Sequence, residues 1–131
     1  MPTIRIAAAV IDDGQGRTLL VRKANTRFFM QAGGKIEPGE TALAALAREL
    51  KEEIGLDLQV LAPRHLGCFV AEAANESGHL VEAELFHVRT ARQPQASAEI
   101  EEAVWITLDL ADQLTLAPLT RDHVLPLARR L

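Results

Sequence analysis

Apolar and polar positions along the chain follow two rhythms. Residues 3–11, "TIRIAAAVI", form a nearly continuous apolar run rich in β-branched residues, the content of a buried strand. "DDGQG" at 12–16 is a turn signal, and "RTLLVRK" at 17–23 reads as a second strand, so the two predict a hairpin. "EPGE" at 37–40 is a Pro-Gly turn, after which 41–54 changes to a helical period. Residues 58–73 read as extended, interrupted at Pro63, and "NESGH" at 75–79 as a turn. Strands are expected at 80–91 and 103–109, with a polar loop at 92–99 between them. A terminal helix is expected at 120–131, kinked or broken by Pro126. Strands, helix, strands and helix in that order predict an α/β protein with helices on both faces of a sheet. No repeat or long linker divides the chain, so residues 1–131 are expected to form one domain.

On a helical wheel, Leu43, Leu46, Ala47, Leu50 and Ile54 share one apolar arc, the expected sheet-facing stripe. Glu49, Glu52 and Glu53 occupy an adjoining arc as i, i+3 and i+4 neighbours. Like charges at that spacing destabilise a helix, and the negative end of the helix dipole adds to the cost. One account is a solvated acidic face offset by Arg48 and Lys51. The preceding loop favours another. Gly33 and Gly34 permit close approach of backbone to a ligand, and Pro38-Gly39 turns the chain into the helix. Carboxylates beside a free carbonyl suit hard cations such as magnesium or manganese. Magnesium usually shares its shell with substrate phosphates.

Composition narrows the classes. The chain has 131 residues, a net charge of −4 and a single cysteine. An internal disulfide is therefore excluded, and Cys68 is expected to be a buried thiol. The charge leaves no overall basic footprint for a nucleic-acid polymer. No apolar run approaches the ~18 residues of a membrane span, and the N-terminus lacks signal-peptide features, so a soluble cytoplasmic protein is expected. His65, His79, His87 and His123 have no metal-ligand spacing and are expected to be structural or on the surface.

The stretch Gly34–Leu56 resembles the Nudix box of the MutT-like hydrolases. The pattern is Gly, five residues, Glu, seven residues, Arg-Glu, an aliphatic, one residue, Glu-Glu, one residue, Gly and an aliphatic. It is filled by Gly34, Glu40, Arg48, Glu49, Leu50, Glu52, Glu53, Gly55 and Leu56. The resemblance implies a Nudix-type α/β/α sandwich with a mixed central sheet. It also implies magnesium- or manganese-assisted hydrolysis of a nucleoside diphosphate linked to another group. Glu49, Glu52, Glu53 and a carbonyl of Gly33 or Gly34 would then be metal ligands. Glu52 or Glu53 would act on the attacking water, Arg48 would orient Glu49, and Glu40 would anchor the loop. Among Glu99, Glu101 and Glu102, ahead of Trp105, the resemblance favours Glu99 as a further metal ligand or base.

The match has departures. Ala32 stands where the family often has Pro. Phe28 and Phe29 offer faces for a base, with core packing as the alternative. Arg22, Lys23 and Arg27 lie near the expected phosphate path, and Lys35 is within reach of a phosphate. Markers of the ADP-ribose, dinucleoside-polyphosphate and NADH-cleaving branches are missing, which leaves a nucleoside triphosphate or oxidised nucleotide as the expected substrate. The alternative is a non-catalytic Nudix-fold module that binds nucleotide or protein. Family members are often homodimers, so a homodimer is left open.

Overall fold

The computed structural model describes residues 2–131. The central strand β1 (Thr3–Asp12) has Ala7 to Ile11 fully buried, because it is covered on both faces. It pairs in parallel with β6 (Leu80–Arg89) along its whole length. On its other side it pairs antiparallel with β4 (Gly33–Lys35), Ile6 opposite Lys35 and Ala8 opposite Gly33. The predicted hairpin closes at one register pair only, Asp12 opposite Thr18. Beyond it, β2 (Arg17–Lys23) separates from β1 and pairs antiparallel with β7 (Ile100–Thr107) and with the short β3 (Phe29–Met30). The gap so opened at one end of β1 is filled by the glycine strand β4. β5 (Arg64–Glu72) closes the far edge of this mixed sheet against β6.

Helix α1 (Ala42–Ile54) begins where Thr41 accepts the Ala44 N–H and ends at Gly55, which is left-handed at φ +70°. Ala45, Leu46, Leu50 and Ile54 pack on Ala7, Ala9 and Ile11 of β1. Glu53 sits inside this buried stripe rather than beside it, at 3% exposure. Leu43 was expected in the stripe and is 45% exposed. It lies in the first turn with its side chain tilted toward the helix start, beside a shallow hollow shared with Leu58 and Pro63.

The opposite sheet face is covered by the C-terminal segment. A π-helical turn, Thr120–Val124, runs into α3 (Leu125–Ala128), and Leu119, Val124 and Ala128 pack on Ala8, Val10, Ala83 and Leu85. Helical backbone continues through Pro126, and the irregularity falls just ahead of it, where the π-helical turn replaces regular α-helix. A short helix α2 (Leu108–Ala111) follows β7 directly. The extended reading of 58–73 holds from Arg64 onward, while Leu58–Val60 form a 3₁₀ turn. Cys68 is exposed. It points outward from edge strand β5, whose other face, with Leu66, Phe69 and Ala71, packs toward the C-terminal segment. Among the described residues, no helix is long and apolar enough to cross a membrane.

Candidate active site

The acidic helix and the glycine strand meet face to face. Gly33 has φ +147°, and a Cβ there would collide with the Ala7 carbonyl and the Ala8 backbone on β1. Only glycine lets β4 lie this close. The Gly33 N–H donates to Glu53 Oε1 over 3.0 Å. At Gly34 a Cβ would overlap the Glu49 carboxylate. The two glycines therefore form a cradle for two glutamates one helical turn apart.

Arg48 sets the neighbouring geometry. Its Nε donates to Glu40 Oε2 at 2.9 Å and its Nη2 to Glu40 Oε1 at 2.7 Å. Its Nη1 donates to Glu49 Oε1 at 2.7 Å, and its Nη2 also reaches the Lys35 carbonyl at 3.0 Å. Glu40 accepts the Glu37 N–H as well, which closes the Pro-Gly turn. The Arg48 fork and the Glu37 N–H hold the Glu40 carboxyl down to about 2. The Glu40 and Glu49 carboxylates push the Arg48 guanidinium further up.

Glu53 moves the other way. Burial pushes its carboxyl up to about 7. The Gly33 N–H opposes the rise, the charges of Glu49 and Glu99 add to it, and Lys23 opposes it. Among the described residues, that N–H is the only hydrogen-bond donor to the Glu53 carboxyl. The local donors are thus carboxylates and backbone oxygens, the set a hard divalent cation takes. Among the described residues, no three Asp, Glu, His or Cys side chains converge into a ready-made metal cage. Arg48 holds Glu49, Glu53 is turned to Gly33, and Glu52 is exposed. Such a donor set fits a cation that takes one or two carboxylates and completes its shell with substrate.

The polar loop at 92–99 is fastened to the end of α1. The Ser97 hydroxyl donates to the Glu52 carbonyl, the Ser97 N–H to Glu53 and the Gln95 N–H to Ile54. This carries the exposed Glu99 toward the cradle, where it pairs with Lys23 at 3.4 Å.

A cleft opens beside the cradle. Gly33, Gly34, Lys23 and Lys35 line one part, and Ile4, Ile6, Met30, Val81 and Leu119 supply apolar walls. Counted out to open solvent it holds about 720 Å³. Lys35 also approaches Glu76 at 3.7 Å. Arg22 and Phe28, expected as substrate contacts, are not in its lining. Arg22 is held by Glu102 at 2.8 Å and by the Thr26 carbonyl at 2.8 Å. Phe28 is half-buried under the Arg27 guanidinium, 5.3 Å from its ring centre. Phe29 packs in a core cluster with Leu20 and Leu125. Sequence reasoning gave no role to Gln31, Asn75 or Thr120. Gln31 and Asn75 line the cleft, and Thr120 holds Gln31 from behind.

A mixed sheet between helical layers, with an acidic helix locked to a glycine strand beside a cleft, defines an α/β/α sandwich with an acidic site at one end of its central strand. The NUDIX domain model matches residues 2–128, and the chain belongs to the Nudix hydrolase family. It is 32% identical over 123 residues to the CTP pyrophosphohydrolase of Escherichia coli, covering 90% of this chain and 86% of that one. It is 40% identical over 57 residues to the 8-oxo-dGTP diphosphatase of Haemophilus influenzae, covering 40% and 42%. The solved MutT protein of Methanosarcina mazei superposes with a TM-score of 0.78 at 26% identity, covering 98% of this chain and 94% of that one.

Proposed function

We propose that the chain hydrolyses the diphosphate linkage of a nucleoside triphosphate or oxidised nucleotide, with magnesium or manganese as cofactor. The observation that carries this reading is the locked pair of carboxylates, Glu53 on Gly33 and Glu49 on Gly34, beside a cleft edged by Lys23 and Lys35. The names of the E. coli and H. influenzae relatives support the substrate class.

Glu49, Glu52, Glu53 and the Gly34 carbonyl are the oxygens that would hold the cation. When bound, it supplies charge neutralisation of the diphosphate and acidification of the attacking water. The chain's own residues do the rest. Arg48 fixes the Glu49 carboxylate against Gly34. Lys23 and Lys35 attract phosphate oxygens at the cleft edge. Glu52 and Glu99 are the candidates to accept the proton of the attacking water, while Glu53, raised to about 7 by burial in the metal-free chain, gives up its proton as it takes the cation. The partner is a small nucleotide rather than a nucleic-acid polymer, in keeping with the net charge of −4, and the proposed compartment is the cytoplasm.

The test is pyrophosphate and phosphate release with magnesium or manganese. The panel is CTP, the other nucleoside triphosphates, 8-oxo-dGTP, ADP-ribose and a sugar nucleotide. Metal-dependent turnover of a triphosphate, lost in Glu53→Gln, supports the reading. Turnover confined to ADP-ribose or sugar nucleotides overturns the substrate class, and turnover retained after chelation overturns the cofactor.

A further inference from the structure

Gln31 lies between β3 and β4 and is only 7% exposed. Its Oε1 accepts the hydroxyl of Thr120 at 2.7 Å, across 89 positions of sequence. Thr120 is fully buried at the start of the π-helical turn. This bond ties the glycine-strand layer to the C-terminal layer.

The bond also fixes what Gln31 offers to the cleft. A carboxamide has one accepting oxygen and two N–H donors. The hydroxyl takes the oxygen, and among the described residues the amide nitrogen has no acceptor. Yet Gln31 is part of the cleft lining, next to Gly33. Among the described residues no fully buried side-chain polar atom lacks a partner, so this nitrogen is open to solvent, and its donors are free for a ligand in the cleft. The walls around it, including Ile4, Ile6 and Val81, are apolar and suit the faces of a flat ring. The lysines mark the phosphate end.

The geometry points to Gln31 as a specificity-determining residue, with Thr120 as its positioning residue. The clamped amide donates to a carbonyl oxygen on the substrate's nucleobase. Cytosine, uracil, guanine and 8-oxoguanine carry such a carbonyl, and adenine does not. The preferred substrates are therefore nucleoside triphosphates of oxo-bearing bases. This rests on the reading of the site as a nucleoside triphosphate hydrolase.

The experiment measures kcat/KM for CTP, GTP and ATP in the wild type, Thr120→Val, Thr120→Ser and Gln31→Glu. Thr120→Val keeps the volume and removes the hydroxyl. Gln31→Glu keeps the acceptor for Thr120 and removes the donor. The wild type is expected to favour CTP and GTP over ATP. Both Thr120→Val and Gln31→Glu should reduce that preference about three- to ten-fold, through KM, the scale of one neutral hydrogen bond. Thr120→Ser should restore it. Gln31→Glu leaves the Thr120 contact in place, so a misfolded Thr120→Val does not remove the test. A wild type that favours ATP, or an equal preference in wild type and Gln31→Glu, overturns the inference while leaving the hydrolase reading intact. A wild type that turns over no nucleoside triphosphate overturns the hydrolase reading itself, and this inference with it.

Discussion

The N–H of Gly33 and the carboxylate of Glu53, 20 residues apart, meet at 3.0 Å in the buried seam between β4 and α1. The seam places an ionisable group inside the packed stripe of a helix, where neighbours of its size are leucines and isoleucine. Its chemistry and its energetic cost arise from the same burial.

Glu53→Gln should separate the two. Glutamine has nearly the same shape, and its carbonyl still accepts the Gly33 N–H. Loss of the charge should reduce turnover by about 10²-fold or more, because a neutral amide holds a divalent cation far less well than a carboxylate. At pH 8 the metal-free variant should melt higher than the metal-free wild type, because a buried charge has gone. Steady-state kinetics and thermal melts check the two halves.

The pH dependence follows with its sign. In the folded chain Glu53 holds its proton up to about 7, against 4.5 in the unfolded chain. Between those values the folded state binds more protons, so this group's contribution to stability falls as pH rises. For the metal-free protein, the gap between 4.5 and about 7 bounds the loss at roughly 3 kcal/mol between pH 5 and pH 8. Saturating magnesium should flatten the slope, and cation affinity should rise through pH 7 as the proton leaves. Denaturant titrations at several pH values, with and without magnesium, provide the check.

Gly33→Ala and Gly34→Ala should fail differently. The first drives a Cβ into the backbone of β1 at a positive φ and should cost about 2 kcal/mol or more of stability. The second displaces the Glu49 carboxylate. It should weaken cation binding and activity while changing the melting temperature less. Isothermal titration with manganese beside a thermal melt distinguishes them.

Arg48→Lys should not act as a conservative change. One ammonium cannot serve both oxygens of Glu40, Glu49 and the Lys35 carbonyl together. Activity should fall about ten-fold, the usual cost of losing a group that orients a metal ligand. Most of the loss should appear as a raised metal requirement, read from activity against magnesium concentration.

Much of this was legible in the sequence, for physical reasons. Gly34, Glu40, Arg48, Glu49 and Glu53 belong to a loop and one helix, where spacing fixes geometry. The burial of Glu53 was not legible, because a wheel cannot tell how closely the opposing strand approaches. That depends on Gly33 against Ala7 and Ala8. Lys23 lines the cleft and Arg22 does not, a difference between neighbours that spacing alone does not show. A bulge between Arg22 and Lys23 shifts the register of β2 against β7, and bulges re-aim side chains without a mark in the hydrophobic pattern. The early parting of β1 and β2 was hidden because their local turn signal is sound. Gln31 and Thr120 carry no joint signal in one sequence, since only the folded sheet brings them together.

The staple between residues 95–97 and the last turn of α1 has an electrostatic consequence. The carbonyls of Glu52, Glu53 and Ile54 form the negative pole of the helix, directly beside three glutamates. They are answered by two peptide N–H groups and one hydroxyl rather than by a lysine or arginine side chain. Neutral donors quiet the pole without bringing a full positive charge to the carboxylates. The acidic face therefore retains a charge deficit that a mobile ion, arriving with its substrate, can fill.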